Sequence, residues 1–175
     1  LEYLGVKTLC DKYGVTAIDL NKDSAVPVKL RCGITVRMSK IALESKVIDV
    51  AKLKTHVITT VTLGIKNLMG TVCGTDKREL HLHGLEENLA NLPFIVNPRL
   101  TIIDGIVGME GRGPVAGKPK MSNLLIVSSD VIAADVVTAK LIGFEPYNVN
   151  HIKYAIAISK KSYKWADIQT VGTPI

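Results

Sequence analysis

Short apolar runs alternate with segments of helical spacing along the chain, and this pattern predicts an α/β fold. Three runs rich in Val, Ile and Leu, at residues 47–51, 100–104 and 124–128, have the length and composition of buried strands. Between and after them, apolar positions recur at the spacing of a helix face. Strands that alternate with helices are typical of an α/β sheet.

Three of the helical segments have clear ends. Residues 59–69 are followed by Gly70, as a helix with a C-terminal glycine would be. Residues 79–92 carry leucines on one side and stop before a proline. Asp130 precedes the apolar segment 131–141 in the position of an N-cap. We therefore expect three helices that pack on the sheet.

Weaker signals predict the remaining elements. They are a helix that ends at Gly14, a strand at 15–20, a hairpin within 26–36, a short helix at 40–44 after Ser39, a polar loop at 52–56, a helix at 150–159 and a last strand at 168–171. Together these elements predict a mostly parallel central sheet with helices on both faces, in one α/β domain over residues 1–175.

The chain opens at Leu1 in a sequence, LEYLGVKTLCDKYG, that is typical of the middle of a fold. We expect a fragment that lacks one or more N-terminal strands and forms the C-terminal part of a larger domain.

Composition narrows the class of protein. Hydrophobic residues make up 47% and charged residues 22% of 175 residues, which is a globular balance. Aromatic residues make up only 5%, so the core depends on aliphatic side chains. No apolar run has the length of a membrane span and no signal peptide opens the chain. We expect a soluble, cytoplasmic protein without membrane contact.

The net charge is +6, and its densest basic region lies near the C-terminus, at Lys153, Lys160, Lys161 and Lys164. A solvated helix face explains these lysines more simply than a nucleic-acid patch, since few aromatic side chains lie nearby to stack on bases. The sequence therefore disfavours nucleic acid as a partner and favours a small anionic ligand.

The three cysteines, Cys10, Cys32 and Cys73, are widely spaced and form no C-x-x-C motif. The chain therefore encodes no iron–sulfur or cysteine-based zinc motif, and the sequence identifies neither a cofactor nor a metal. A disulfide framework is disfavoured, which favours a reducing compartment.

The most informative segment is AKLKTHVITTVTLGIKNLMG, residues 51–70, in which polar side chains interrupt an apolar stretch: Lys54, His56, Thr62, Lys66 and Asn67. Ligands of α/β sheets bind at the C-terminal ends of strands. Lys54 and His56 follow the strand at 47–51, and Asp104 closes the strand at 100–104. We therefore predict a small-anion or metal–anion site, with Lys54, His56 and Asp104 as catalytic candidates.

The roles of these residues stay open. His56 is a candidate general base, metal ligand or hydrogen-bonded core histidine. Lys54 and Lys66 are candidates to hold a phosphate or carboxylate. His81 and His83 are either surface histidines of a helix or part of a loop that closes over the site.

Residues 105–118 are rich in glycine but do not match a P-loop, since that motif would need glycine where Arg112 stands. The backbone together with Arg112 and Lys118 would form an anion nest; the alternative is a flexible surface loop or lid. Asp135 lies in an apolar helix, where an acid needs a partner, and we expect Lys54 or Lys66 to supply it.

Four pieces of the chain together resemble the domain-of-unknown-function family 362. They are VIDVAKLKTHVITTVTLGIKNLMG, LTIIDGIVGMEGRGPVAG, DVIAADVVTAKLIGF and VNHI. The resemblance implies an α/β domain of undetermined biochemical role that is often associated with ferredoxin-like iron–sulfur segments. By motif position it implies importance, without a catalytic role, for Lys54, His56, Thr62, Lys66, Asn67, Asp104, Gly113, Pro114 and Asp135.

Three functions follow from these observations. The leading one is a small-anion site in an enzyme or a redox-associated accessory protein. The alternative is a non-catalytic interaction domain that binds a ferredoxin-like partner or fused segment through its basic C-terminal region. A nucleic-acid-binding protein is the third and weakest, and whether the chain is an enzyme stays open.

Overall fold

The computed structural model describes residues 5–172, which form six strands and eight α-helices. The strands are β1 (Ala25–Lys29), β2 (Thr35–Ser39), β3 (Ile48–His56), β4 (Thr60–Thr62), β5 (Leu100–Arg112) and β6 (Ala116–Ser128). The helices are α1 (Val6–Tyr13), α2 (Lys40–Glu44), α3 (Gly64–Asn67), α4 (Lys77–Leu82), α5 (Leu85–Leu89), α6 (Leu92–Val96), α7 (Val131–Leu141) and α8 (Asn150–Ser159). Short 3-10 helices lie between or after these elements, at Leu68–Thr71, Gly74–Asp76, Pro146–Asn148 and Trp165–Asp167.

The central sheet has the strand order β4-β3-β5-β6 and is mixed. β3 and β5 are parallel, whereas β4 pairs with β3 and β6 pairs with β5 in the antiparallel sense. The prediction of an α/β fold is confirmed, but the prediction of a mostly parallel sheet is only partly so. The physical reason is connection length: β3 and β4, and β5 and β6, are joined by tight turns, which permit only antiparallel pairing.

The glycine-rich stretch is a strand pair and not a loop. β5 and β6 pair from Thr101↔Ser128 to Arg112↔Ala116, so the predicted loop at 105–118 is the far half of this long hairpin. Glycine is required where β5 passes β3, since a Cβ at Gly105 or Gly108 would lie 2.9 or 2.8 Å from the Leu53 side chain. These glycines therefore reflect close packing, which local sequence does not distinguish from loop propensity.

Other local predictions are confirmed or corrected. The predicted hairpin is the separate two-stranded sheet β1–β2. Ser39 caps α2, and the Asp130 side chain accepts hydrogen bonds from the Ile132 and Ala133 amides at the start of α7. The predicted strands at 15–20 and 168–171 are wrong: neither of these described segments forms a strand.

The predicted helix at 59–69 is mostly wrong. The chain first returns along β3 as β4, and only then forms the short helix α3 and a 3-10 turn. The predicted loop at 52–56 is the end of β3. The predicted helix at 79–92 is divided among α4, α5 and the start of α6, with Gly84 at positive φ between α4 and α5.

The helices pack on the inner face of the sheet, where Leu53 and Ile103 join the hydrophobic core. The outer face has the alternate side chains of β3, β5 and β6, and they form aligned rows: Val50–Ile102–Val127 and Lys52–Asp104–Leu125. Val50 and Leu125 are 60% and 59% exposed. The prediction of helices on both faces is therefore wrong for the part of the chain that the structure describes.

No helix within residues 5–172 combines the length and the apolar character that a membrane crossing requires.

One glycine is decisive for how α3 docks on the sheet. A Cβ at Gly64 would lie 2.8 Å from methyl groups of Thr101 and Val131 and 3.0 Å from the Asp135 carboxyl. We expect Gly64→Ala to lower the free energy of unfolding by about 1–3 kcal/mol through overpacking, measured by urea denaturation.

Gly70→Ala is the matched control, because a Cβ at Gly70 would meet nothing within 4 Å. Equal destabilisation by the two substitutions would contradict the close approach of α3 to β5 and α7.

Candidate functional site

His56 organises the turn between β3 and β4. Its Nδ1 atom accepts hydrogen bonds from the backbone amides of Ile58 and Thr59, at 3.1 and 3.2 Å. A neutral imidazole with an acceptor at Nδ1 carries its hydrogen on Nε2. His56 therefore offers an N–H donor at Nε2, while its basic nitrogen is already occupied. Burial, then Lys66 and His81, lower the pKa of His56, which favours this neutral form.

The β3–β4 pairing gathers further polar groups around His56. Lys54 is opposite Thr62, and His56 is opposite Thr60, so these side chains share one face of the ribbon. The Thr62 hydroxyl is buried and has no hydrogen-bond partner within residues 5–172. Lys54, His56 and Thr62 are thus brought together as the sequence predicts, although by a strand pair instead of a loop and a helix.

Lys66 projects from α3 and is half-buried, and burial lowers its pKa. Among the described residues, no carboxylate lies within 4.0 Å of its ammonium group, in contrast to the lysines that form ion pairs. Partial burial of an unpaired charge is costly. Lys66 is therefore a candidate to hold an anion.

His151, near the start of α8, is the site residue that sequence reasoning missed. Its side chain is 0% exposed, and neither ring nitrogen has a hydrogen-bond partner among the described residues. Burial, followed by the charges of Lys66 and His56, lowers the pKa of His151 to about 3. The one available signal was the motif VNHI, in which a lone histidine resembles an ordinary core residue.

We call His56, Thr62, Lys66 and His151 the basic cluster. Its members come from β3, β4, α3 and α8, so no local segment contains it. The charged groups that act on the two histidines are basic: Lys66 acts on both, and His81 on His56. This arrangement supplies hydrogen-bond donors and positive charge, which is the chemistry of an anion site.

Two predicted site residues have structural partners instead. The Asn67 amide donates to the Asp49 carboxylate at 2.7 Å and to the Val50 carbonyl at 3.1 Å, which ties α3 to β3. Burial raises the pKa of Asp49 to about 6, and the Asn67 hydrogen bond partly opposes this.

Asp135 is fully buried and binds the start of α3. Its carboxyl group accepts hydrogen bonds from the backbone amides of Gly64 and Ile65, at 2.8 and 3.0 Å. The expectation that Lys54 or Lys66 pairs with Asp135 is therefore wrong, because the free amides at the start of a helix satisfy the acid. Burial raises the pKa of Asp135 to about 8 against the opposing effect of these two hydrogen bonds.

Asp104 does not join Lys54 and His56 as the sequence predicts. Asp104 pairs with Lys52 at 2.7 Å on the outer face of the sheet, and not with Lys54 or His56. This ion pair and the Ile106 amide hold the pKa of Asp104 below its ordinary value.

The side chains of Arg112 and Lys118 are exposed on the β5–β6 hairpin. His81 and His83 are exposed as well, on and just after α4, and His83 lies 3.4 Å from Glu79.

Gly113 at the tip of the β5–β6 hairpin packs against the end of β3. Its carbonyl accepts from the Val57 amide at 3.2 Å, and Thr55 Oγ1 donates to the Gly111 carbonyl at 2.8 Å. A Cβ at Gly113 would lie 1.9 Å from the Thr55 carbonyl oxygen. The hairpin tip thus supports the turn that presents His56, and Pro114 follows it through a cis peptide bond.

Two cavities lie elsewhere. One of about 430 Å³ is lined by residues that include Arg31, Cys32 and Tyr154, and one of about 360 Å³ by residues that include Asp130 and Tyr163. Neither includes a member of the basic cluster. Among residues 5–172, no group of three or more His, Cys, Asp or Glu side chains is placed to hold a metal ion.

Comparison with known proteins identifies a family. The model of the family described as domain of unknown function (DUF362) matches residues 1–140. The thylakoid-associated protein sll1697 of Synechocystis is 36% identical over 121 residues, which cover 65% of this chain and 38% of that protein. The chain therefore spans well under half the length of this curated relative. No solved structure matches the chain significantly.

The buried Asp135 carboxyl predicts how stability changes with pH. Its pKa is raised on folding, so the folded chain holds a proton that the unfolded chain releases, and stability falls as pH rises. Above pH 7 the unfolded histidines and carboxylates are largely deprotonated, so the opposing effect of His56 and His151, whose pKa values are lowered on folding, is small. Between pH 7 and 8.5 we expect a loss of about 1 kcal/mol in the free energy of unfolding.

Asp135→Asn should remove this pH dependence, because an amide does not titrate. Its single oxygen can keep only one of the hydrogen bonds from the Gly64 and Ile65 amides, so we also expect a lower stability at every pH. Urea denaturation at several pH values measures it. Asp104→Asn is the control, since that exposed acid titrates at lower pH. If the free energy of unfolding of Asp135→Asn falls with pH as steeply as that of the unchanged protein, the burial of a protonated Asp135 is contradicted.

Proposed function

We propose that this chain, which belongs to the DUF362 family of domains of unknown function, binds a small oxyanion at the basic cluster. The observation that carries the proposal is Lys66, a half-buried ammonium group without a carboxylate partner among the described residues, whose charge acts on both His56 and His151. An anion between them would accept the hydrogen bonds that these groups otherwise lack.

The donors have defined roles in this proposal. Lys66 supplies the charge, the Nε2–H group of His56 supplies a donor that its turn hydrogen bonds orient, and the Thr62 hydroxyl supplies a third. Lys54, opposite Thr62 on β3, adds a second positive charge at the rim. Gly113 acts through the backbone by supporting the turn, and Asn67 and Asp135 act by holding α3 in place.

The proposal is binding, and a reaction is not part of it. His56 uses its basic nitrogen in the turn, and Asp104 pairs with Lys52, so two of the catalytic candidates have other partners. A redox-associated role would need a cofactor or partner that supplies the electrons, since no cysteine motif for a cluster is present.

Substitution of Lys66 tests the proposal. Inorganic phosphate titrated into the purified chain at low ionic strength should release or absorb heat in isothermal titration calorimetry. Lys66→Gln should weaken the affinity by about tenfold or more, because a charge-assisted hydrogen bond contributes about 1.5–3 kcal/mol.

Lys46→Gln is the matched control, as Lys46 is exposed and outside the cluster. Circular dichroism confirms that both variants fold. Absence of phosphate binding in the unchanged chain, or equal affinity of the two variants, would contradict the proposal.

The exposed outer face of the sheet favours a second candidate, an interaction domain. Val50, Ile102 and Val127 form one apolar row beside the Lys52–Asp104 ion pair. Exposed apolar patches of this kind mark protein interfaces. We propose a ferredoxin-like iron–sulfur protein or segment as the partner, the class that the family resemblance implies. This surface replaces the basic C-terminal region as the proposed contact.

Val50→Lys tests this candidate. It should abolish binding of a ferredoxin-type iron–sulfur protein, measured by biolayer interferometry, while it leaves stability nearly unchanged because Val50 is 60% exposed. Lys29→Gln, on the separate β1–β2 sheet, is the control. A chain that binds no such protein would contradict the candidate, and a dimer in light scattering would reassign the surface to a second copy.

For location we propose the cytoplasm, in line with three free cysteines. The relative sll1697 is described as thylakoid-associated, so a peripheral association with such a membrane is the alternative for this chain.

A further inference from the structure

The geometry points to hydrogen phosphate, an oxyanion that keeps an O–H group at neutral pH, as the ligand of the basic cluster. This inference rests on the proposed function and names the ligand class for the same site. It depends on the lone pair that the buried His151 ring offers, since Lys66 and the free Nε2–H group of His56 offer donors only.

His151 has both a donor and an acceptor to satisfy. A neutral imidazole carries one N–H group and one nitrogen lone pair. The ring is fully buried, and both nitrogens lack a partner among the described residues. Burial, and then the charges of Lys66 and His56, lower the pKa of the ring, so the lone pair persists at neutral pH.

The described groups packed around His151 leave both of its ring nitrogens without a partner. α8 packs on α5, α7 and the turn Pro146–Asn148. Glu86 of α5 accepts from the neighbouring Asn150 side chain at 2.9 Å, and Asp135 of α7 is bound to the start of α3. Neither acid therefore accepts from the His151 N–H group, and no described donor reaches its lone pair, so we assign both partners to the ligand.

The other members of the cluster constrain the ligand differently. Lys66 and the Nε2–H group of His56 are donors only, and they require acceptor oxygens. The lone pair of His151 requires a donor. A ligand that serves both must have several acceptor oxygens and one O–H group, as hydrogen phosphate does. Sulfate has the same shape and charge at pH 8 but no O–H group.

Selectivity follows from this difference. A buried acceptor left without a partner is penalised in the complex with sulfate but not in the complex with hydrogen phosphate. We expect hydrogen phosphate to bind about tenfold or more tightly than sulfate. The dianion of methyl phosphate also lacks an O–H group and should bind as weakly as sulfate, which separates free phosphate from phosphate esters as the source of the ligand.

Calorimetry with the full chain at pH 8 tests the inference with inorganic phosphate, sulfate and methyl phosphate. The unchanged chain should prefer phosphate by about tenfold or more. In His151→Phe this preference should disappear through loss of phosphate affinity, with sulfate affinity retained. In His151→Asn the amide oxygen supplies an acceptor again, and part of the preference should return.

The calorimetric results distinguish failure of the anion site from failure of the assignment of hydrogen phosphate. If no anion binds the unchanged chain, the proposed function fails. If phosphate and sulfate bind with equal affinity, the anion site stands and the assignment of hydrogen phosphate is overturned. If methyl phosphate binds as tightly as phosphate, the O–H argument is overturned too. Should His151→Phe fail to fold, the phosphate and sulfate affinities of the unchanged chain decide alone.

Discussion

The buried contact between Asp135 and the start of α3 is the interaction on which the candidate site depends. The carboxyl group of α7 receives the Gly64 and Ile65 amides, and Gly64 lets α3 approach close enough for this contact. Burial without a cation raises the pKa of Asp135, so the contact is stable where the acid keeps its proton. The direction of α3 follows from it: Lys66 is held towards the histidines, and Asn67 is held against the edge of β3.

A second constraint acts from the other side of the cluster. The His56 imidazole accepts two backbone amides, which closes the turn into β4 and leaves Nε2–H as the free donor. The tip of the β5–β6 hairpin packs against the same turn through Gly113. The glycines of the family motifs thus serve close packing: Gly64 against α7 and β5, Gly105 and Gly108 against Leu53, and Gly113 against Thr55. The structural and binding roles of the motif residues are therefore divided among neighbouring positions.

Sequence reasoning reached the parts of this arrangement that depend on local signals. The Ser39 and Asp130 caps, the β1–β2 hairpin and the strands that carry Ile48 and Leu100 follow from side chains within a few residues of one another. The gathering of Lys54, His56 and Thr62 was also predicted, since they lie close in sequence. Sequence reasoning failed where a long-range contact determines the local structure. β4 forms because Thr60–Thr62 pair with β3, and β5 continues past Asp104 because glycine permits it to pass Leu53. His151 was missed because its burial, and the effect of the Lys66 charge on its ring, depend on packing between distant segments.

The proposed site requires His56, Lys66 and His151 to act together on an oxyanion, and the histidine rings report on this directly. In ¹⁵N-resolved NMR of the imidazole groups, we expect His56 to be a neutral Nε2–H tautomer throughout, and inorganic phosphate to shift the ring resonances of both His56 and His151 with one saturating affinity. Exposed His83 should not respond at the same concentrations. A titration in which phosphate leaves His151 unchanged, or shifts His83 equally, would contradict the account.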